Sequence, residues 1–515
     1  MKRPGALSAW LVAILLLAAG LRVVNLGGRT LWYDEAFAVL YAETGLDAML
    51  EGTLAQEDGA AADVHPLLYY TLLGAWMGRV GQSPEAVRAL SVLVGVLTVA
   101  VVCRLAADLF GPRAGLTAGL IAALSPFHIQ YAQEARMYAL MALWLLLATW
   151  CLVRGWQGVG RRRASFYWLG FAVFAALAVY TQQLAAFYLL ALALFPFVAR
   201  RWDVCGRVVA AGLAALALYL PWLANLPGQL GKINQAYWVP SPRLAQAIQT
   251  LFAFAVPLLD LPQWILLGGL MVSLLLIALF ALHALRSPRA RRAAGWRLGL
   301  AAWLAFAPPA LMFVAGQFLP VYLLRALLPC ALAFYVAVAW LVAHGGVPRA
   351  VVGAAAALWL VVGGAGLLQH YGWDTFPNAP FDKAAAYLAE VVAPGDVIVH
   401  SNKLTYLPMR YYNRALPQTF VADPPGAPQD TLAVATQRVL GVQEAACVGE
   451  AAAGAARVWL VIFEREIQES GEAGPASLGW MLAHYATAEA IAFNDLDVYR
   501  FAGPDPAAQR AECPP

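Results

Sequence analysis

The chain has 515 residues, of which 62% are hydrophobic and only 12% charged, and its net charge is +4. A soluble globular protein carries roughly 45–50% apolar and about 25% charged residues, so this composition excludes an ordinary soluble domain and indicates a polytopic membrane protein. A nucleic-acid partner is excluded as well, because the Arg clusters are short and lie between apolar spans.

"ALSAWLVAILLLAAGLRVV" follows the basic start "MKRPG". It is longer than the apolar core of a signal peptide and lacks a clear small-residue cleavage site, so it is expected to stay as a first span. A spanning helix needs about 20 apolar residues, and cytoplasmic loops are rich in Lys and Arg. On that basis about eleven spans are expected, near 7–24, 87–109, 114–131, 135–153, 165–180, 183–199, 207–223, 263–285, 298–316, 321–343 and 350–369. With Met1 inside, "FGPRAG", "VRGWQGVGRRRAS", "ARRWDVCGR", "LRSPRARRAAGWR" and "HGGVPR" all fall on the cytoplasmic side. Two shorter apolar stretches, 65–80 and 247–261, are read as helices lying in the outer interface.

This topology puts the polar outliers on one membrane face. Asp34 and Glu35 stand side by side in "LWYDEAFAVL", in an external loop that runs to about Arg88. "SPFHIQYAQEARMYAL" brings His128, Gln130, Gln133, Glu134 and Arg136 to a second external turn, and "YTQQ" makes a third. Consecutive side chains on a helix diverge by about 100°, so one acid of the "DE" pair faces a cavity while the other takes a partner. Proximity raises the proton affinity of one of them, which suits a general base. Acids also simply favour a first helical turn. Arg325, just inside the outer end of a span, is a costly placement without an anion. A lipid phosphate is one partner for it, and snorkelling to bulk headgroups is the other.

His65, His128, Asp34 and Glu134 have the chemistry of metal ligands but no H-x-x-x-H or E-x-x-H spacing. No metal or other cofactor is expected. Of the six cysteines, four lie in or beside spans. Cys447 and Cys513 lie beyond them and either pair, if that region is extracytoplasmic, or stay as two thiols. After His370 the chain alternates helical segments with short apolar runs such as "DVIVH" and "ARVWLVIFE". That pattern predicts a C-terminal α/β domain over 370–515, outside the membrane after an odd number of spans, joined to a membrane domain over 1–369. The tail "GPDPAAQRAECPP" reads as disordered.

"LWYDEAFAVL", "HPLLYYTLL", the run from "EAVRALSVL" to "QEARMYAL", and "LPWL" with "WVPSP" occur in that order. Together they resemble the glycosyltransferase family 39 or protein O-mannosyltransferase-like group, membrane enzymes of the GT-C fold that include the lipid A aminoarabinose transferases. The resemblance spans roughly residues 7–345 and is strongest over 20–150. It implies an inverting sugar transfer on the outer face of the plasma (inner) membrane. The donor is a polyprenyl-phosphate-linked sugar and the acceptor a hydroxyl of a protein, lipid or envelope glycan. Asp34 matches the catalytic acid of the first external loop and would be the general base, with Glu35 its companion and Glu134 the second acidic position. His65, Arg136 and Arg325 are the expected cations for the donor phosphate. His128, Gln133, Tyr138, Gln182 and Trp238 are expected at the substrate. Two positions depart from the pattern: "LLRALLP" keeps the Arg of an Arg-Tyr pair without the Tyr, and Gln182 stands where many relatives have His. The alternative function is a transporter or flippase, or an assembly scaffold, for lipid-linked saccharides. A transporter would place ionisable groups at mid-membrane, whereas these acids gather at one edge.

Overall fold

The computed structural model describes residues 4–57, 60–159, 164–235, 238–257, 260–286, 295–344, 347–471, 475–505 and 513. The helices of the membrane half are α1 (Pro4–Val23), α2 (Tyr33–Ala42), α3 (Leu46–Leu54), α4 (Leu68–Val80), α5 (Pro84–Phe110), α6 (Pro112–Leu124), α7 (Pro126–Ala132), α8 (Tyr138–Gln157), α9 (Ala164–Thr181), α10 (Ala185–Val198), α11 (Trp202–Leu223), α12 (Leu226–Gln235), α13 (Leu244–Ala253), α14 (Gln263–Arg286), α15 (Trp296–Ala315), α16 (Leu328–His344) and α17 (Arg349–Tyr371). Among the described residues, eight helical stretches are long and apolar enough to cross a membrane: α5, α8, α9, α11, α14, α15, α16 with its preceding 3-10 turn Leu324–Leu327, and α17. The protein is a multi-pass membrane protein. α6, with 13 residues, and α10, with 14, are expected spans that fall short of that standard, α1 is a 20-residue apolar helix, and the two stretches read as interfacial form the short helices α4 and α13.

One expected span is corrected. The apolar run 114–131 is two helices, because Ser125 leaves the helix with ψ 118° and caps α7, accepting the amide of His128 at 3.2 Å, with Pro126 in the first turn. Pro at that position favours a helix start. α5 begins the same way, at Ser83 and Pro84. Gly111, at φ +91°, turns the chain directly from α5 into α6, a conformation that costs glycine little. α16 is the centre of the bundle, buried from Leu328 to Leu341. A Cβ at Gly95 of α5 would come within 2.6 Å of the Ala132 methyl at the end of α7, so the segment carrying the external polar residues is clamped closely onto the bundle.

Beyond Tyr371 the chain forms α18 (Phe381–Val391), β3 (Asp396–His400), α19 (Lys403–Tyr412), β4 (Gln418–Val421), α20 (Val434–Leu440), β5 (Glu444–Ala445), α21 (Val448–Ala452), β6 (Arg457–Phe463), α22 (Glu464–Glu469), α23 (Ala476–His484), β7 (Tyr485–Phe493) and β8 (Leu496–Pro504). A two-residue hairpin, β1 (Gln56–Glu57) with β2 (Ala60–Ala61), lies between α3 and α4. The C-terminal sheet runs β5-β4-β3-β6-β8-β7, parallel through β6 and antiparallel beyond it. Alternation along β6 sends Val458 and Leu460 into one apolar layer and Trp459 and Val461 into the other, as a strand covered on both faces requires. Cys447 and Cys513 are disulfide-bonded, which resolves the two readings of that pair. Of the tail read as disordered, 503–515, Gly503 and Pro504 instead close β8 and Cys513 is held by the disulfide, while 506–512, 514 and 515 lie outside the described residues.

The C-terminal domain sits on the segment between α1 and α4. Thr30 donates to the carbonyl of Ala379 at 2.7 Å, and the Asn378 amide donates back to Thr30 at 2.9 Å. Tyr412 accepts the amide of Leu31, and the Glu57 carboxylate accepts the amide of Ala435.

Candidate active site

The first turn of α2 separates its two acids. Glu35 turns into the bundle, where its carboxylate takes a bidentate grip on Arg88 of α5, at 2.8 Å and 2.6 Å, and both side chains are completely buried. Arg88 also donates to the carbonyls of Leu26, Arg29 and Thr30. Glu35 Oε1 accepts the amide of Ala135 at 2.8 Å. The pair thus ties three chain segments together at the base of the external region. It is closed to solvent and does not line the cavity described next.

Asp34 points the other way, into a cavity of about 360 Å³ between the connecting segments of the membrane half and the C-terminal domain. Arg325 Nη1 donates to its Oδ2 at 3.0 Å, and Arg136 Nη2 lies 3.5 Å from the same oxygen. Arg136 also donates to the Asp34 carbonyl at 3.1 Å. The Arg325 guanidinium is framed by aromatic rings, with centroids of Tyr138 at 5.1 Å, Trp238 at 5.3 Å and Trp32 at 5.9 Å. The Nε of Arg136 and of Arg325 has no hydrogen-bond partner among the described residues. Burial pulls the Asp34 carboxyl upward, but the guanidiniums of Arg136 and Arg325 outweigh it and hold the group below its ordinary value. Asp34 is therefore an anion at neutral pH.

His65 lines the same cavity, and its Nδ1 lies 2.8 Å from Asp63 Oδ1, an oxygen that also accepts the His65 amide. Asp34, His65, Arg136, Tyr138, Trp238 and Arg325, which come from five separate stretches of the sequence, thus line one cavity. The other named residues stand elsewhere. Glu134 is buried behind it, with one oxygen 3.5 Å from the Gln130 amide nitrogen. Burial, with Glu35 close by, pushes its carboxyl up to about 7. His128 is sealed between Arg22 of α1 and the Ala122 carbonyl. Gln133 donates to the carbonyls of Arg22 and Val24 and contacts His370 of α17 at 2.9 Å. Gln182 is buried at the end of α9, away from the cavity lining. His128, Gln133 and Gln182, expected at the substrate, thus stand outside the lining of this cavity. Their polar groups satisfy backbone and helix ends instead.

Sequence reasoning missed Asp63, Lys232, Asn402, Lys403 and Asp423, which all line the cavity. Asp63 had a signal: it stands two residues before His65, where the loop returns to the membrane. The C-terminal residues had none, because charge is ordinary in a folded α/β domain. Arg88 was also missed, although an Arg at the start of an apolar helix asks for a partner. Among the described residues, no three His, Cys, Asp or Glu side chains gather as a metal site.

Residues 64–224 match the family model described as dolichyl-phosphate-mannose-protein mannosyltransferase. The fold is similar to that of ArnT from Cupriavidus metallidurans. The apo form superposes with a TM-score of 0.64 at 14% identity, over 97% of this chain and 100% of that one. The form bound to undecaprenyl phosphate gives 0.62 at 15% identity over the same shares. The Archaeoglobus fulgidus oligosaccharyltransferase gives 0.56 at 13% identity, over 91% of this chain and 71% of its own. A search of curated proteins finds no significant match.

Proposed function

We propose that this chain, a membrane glycosyltransferase of the protein O-mannosyltransferase-like group with the GT-C fold, inverts the anomeric carbon as it moves a sugar from a polyprenyl-phosphate donor to an acceptor hydroxyl. In this reading the cavity and the C-terminal domain face the outside of the inner membrane. One observation carries it: an ionised carboxylate, Asp34, shares a cavity at the bundle's edge with two guanidiniums whose hydrogen-bonding capacity is unfilled.

The donor phosphate is met by Arg325 and Arg136, with the His65 imidazole as a further hydrogen-bonding group, and the lipid tail lies along the spans. The sugar then projects into the cavity beside Asp34. The acceptor oxygen forms its bond to the anomeric carbon as the bond to the phosphate oxygen breaks. The acceptor proton goes to Asp34, and the leaving polyprenyl phosphate gains charge against the two guanidiniums. A carboxylate held below its ordinary pKa is a weak base for a resting hydroxyl. It takes the proton late, once bond formation has made the acceptor oxygen acidic. The leaving group is already a stable anion and needs cations rather than an acid. Binding the phosphate also draws Arg325 away from Asp34, so donor binding frees the base. The chain's own cations meet the phosphate, with no metal invoked.

The test uses the full chain in nanodiscs. Wild-type protein should bind undecaprenyl phosphate, read by the fluorescence of Trp32 and Trp238 beside Arg325, and should consume polyprenyl-linked sugar from envelope extracts. Asp34→Asn should keep the binding and lose transfer by ~10²–10⁴-fold. Full transfer by that variant would sink the assignment of the base.

A further inference from the structure

The cavity has two chemically different walls. The wall from the membrane half carries Arg136, Arg325 and Lys232 against the carboxylates of Asp34 and Asp63, with both guanidiniums on Asp34. The wall from the C-terminal domain is built by the start of α19 and the loop after β4, through Asn402, Lys403, Asp423, Gln429, Thr431 and Thr436. There Lys403, almost wholly buried, bonds to the Asp423 carboxylate and to the carbonyl of Gln429, so a single ammonium latches the loop to the start of α19. This wall is charge-balanced and offers carboxylate, ammonium, amide and hydroxyl groups in one patch.

An anionic group is drawn to the first wall, because Lys403 is already committed to Asp423. Hydroxyl groups, which donate and accept at once, match the second, where a carboxylate stands beside an ammonium. On this wall β4, which leads into the loop, offers an extended peptide no edge, being paired with β3 and with β5. A cavity of about 360 Å³ is of ligand-pocket size. Resting on the transferase reading above, we infer that the C-terminal domain is the acceptor-binding half of the site. The acceptor it takes is a saccharide, presented by a glycolipid headgroup or by a free or wall-bound glycan, with the Lys403–Asp423 latch as its specificity determinant.

Replacing Thr431 of the full-length protein with p-benzoyl-phenylalanine, in the cells it comes from, puts a photocrosslinker on that wall. Irradiation should give an adduct that stains as carbohydrate after periodate oxidation. If the adduct partitions into organic solvent after proteolysis, the source is a glycolipid; if it stays in water, the source is a free or wall glycan. An adduct that is polypeptide, or lipid without saccharide, overturns the inference. So does the absence of any adduct from protein that still binds undecaprenyl phosphate. Independently, Asp423→Asn and Lys403→Gln should each lower transfer at least roughly tenfold, the loss of one buried charge-assisted contact, with undecaprenyl phosphate affinity unchanged. A matching loss of that affinity would make the latch merely structural and reject its acceptor role. Failure of the wild type to bind undecaprenyl phosphate would instead fell the transferase reading itself.

Discussion

Two carboxylate–guanidinium centres lie one residue apart in sequence and behave as opposites. At Glu35 the pairing with Arg88 is bidentate, fully buried and completed by backbone groups on both partners. At Asp34 the two guanidiniums meet one oxygen, face a cavity and keep unfilled donors. The first centre has nothing left to offer a ligand, so its contribution is to hold the external segments in place. The second has donors to spare and water at hand, so its partners can be exchanged. Adjacent acids become a strut and a working group through their surroundings, not their chemistry.

Breaking the strut should have the largest effect. Arg88→Ala strands a buried carboxylate and should destabilise the fold by ~3–5 kcal/mol, seen as a large drop in melting temperature in detergent. A drop of a degree or two would mean that water reaches Glu35 and that the contrast is false. Next comes Glu134, raised to about 7 by burial and by Glu35. Its folded form holds a proton that the unfolded form has released, so its contribution to stability falls as pH rises from about 4.5 to 7 and is flat above. The change is on the order of 3 kcal/mol. Glu134→Gln should remove that slope in melting curves taken at pH 5 and pH 8; an identical slope in the variant would show that Glu134 is ionised throughout. At the open centre, Arg325→Lys should keep the fold and weaken undecaprenyl phosphate binding by roughly tenfold, since an ammonium lacks the planar fork. Unchanged affinity would remove Arg325 from the phosphate. The smallest effect expected is that of Asp34→Asn on stability, because the carboxamide oxygen can still accept from Arg325. A large loss there would make Asp34 a second strut.

Much of this molecule was legible in its sequence, for identifiable reasons. Apolar runs near bilayer length announce helices, and β-branched runs punctuated by turns announced the C-terminal sheet. Asp34, His65, Arg136 and Arg325 stood out because charge beside an apolar segment is costly enough to call for a reason. The division of labour between Asp34 and Glu35 was not legible, because it depends on Arg88, whose position is a fact of tertiary packing. His128 and Gln133 looked like substrate ligands for the same reason that Arg325 did. Buried polar side chains that serve other helices carry the same sequence signature as those that serve a ligand. Lys403 and Asp423 were invisible, because a charged pair in an α/β domain has no unusual context until the domain docks. The break at Ser125 was readable, in the Ser-Pro pair, but was overridden by the continuous apolar run around it.

The cavity draws its walls from Trp32 at one end of the chain to Thr436 near the other. During synthesis the membrane half is made first, and with it Arg136, Arg325 and the Asp34 carboxylate. The opposing wall does not exist until most of the last domain has emerged and settled on the segment between α1 and α4. A ribosome-bound or truncated chain would hold the phosphate-facing groups with no counterpart across from them. Chain order therefore acts as a timer: the cavity is closed on both sides only when the final segment has folded.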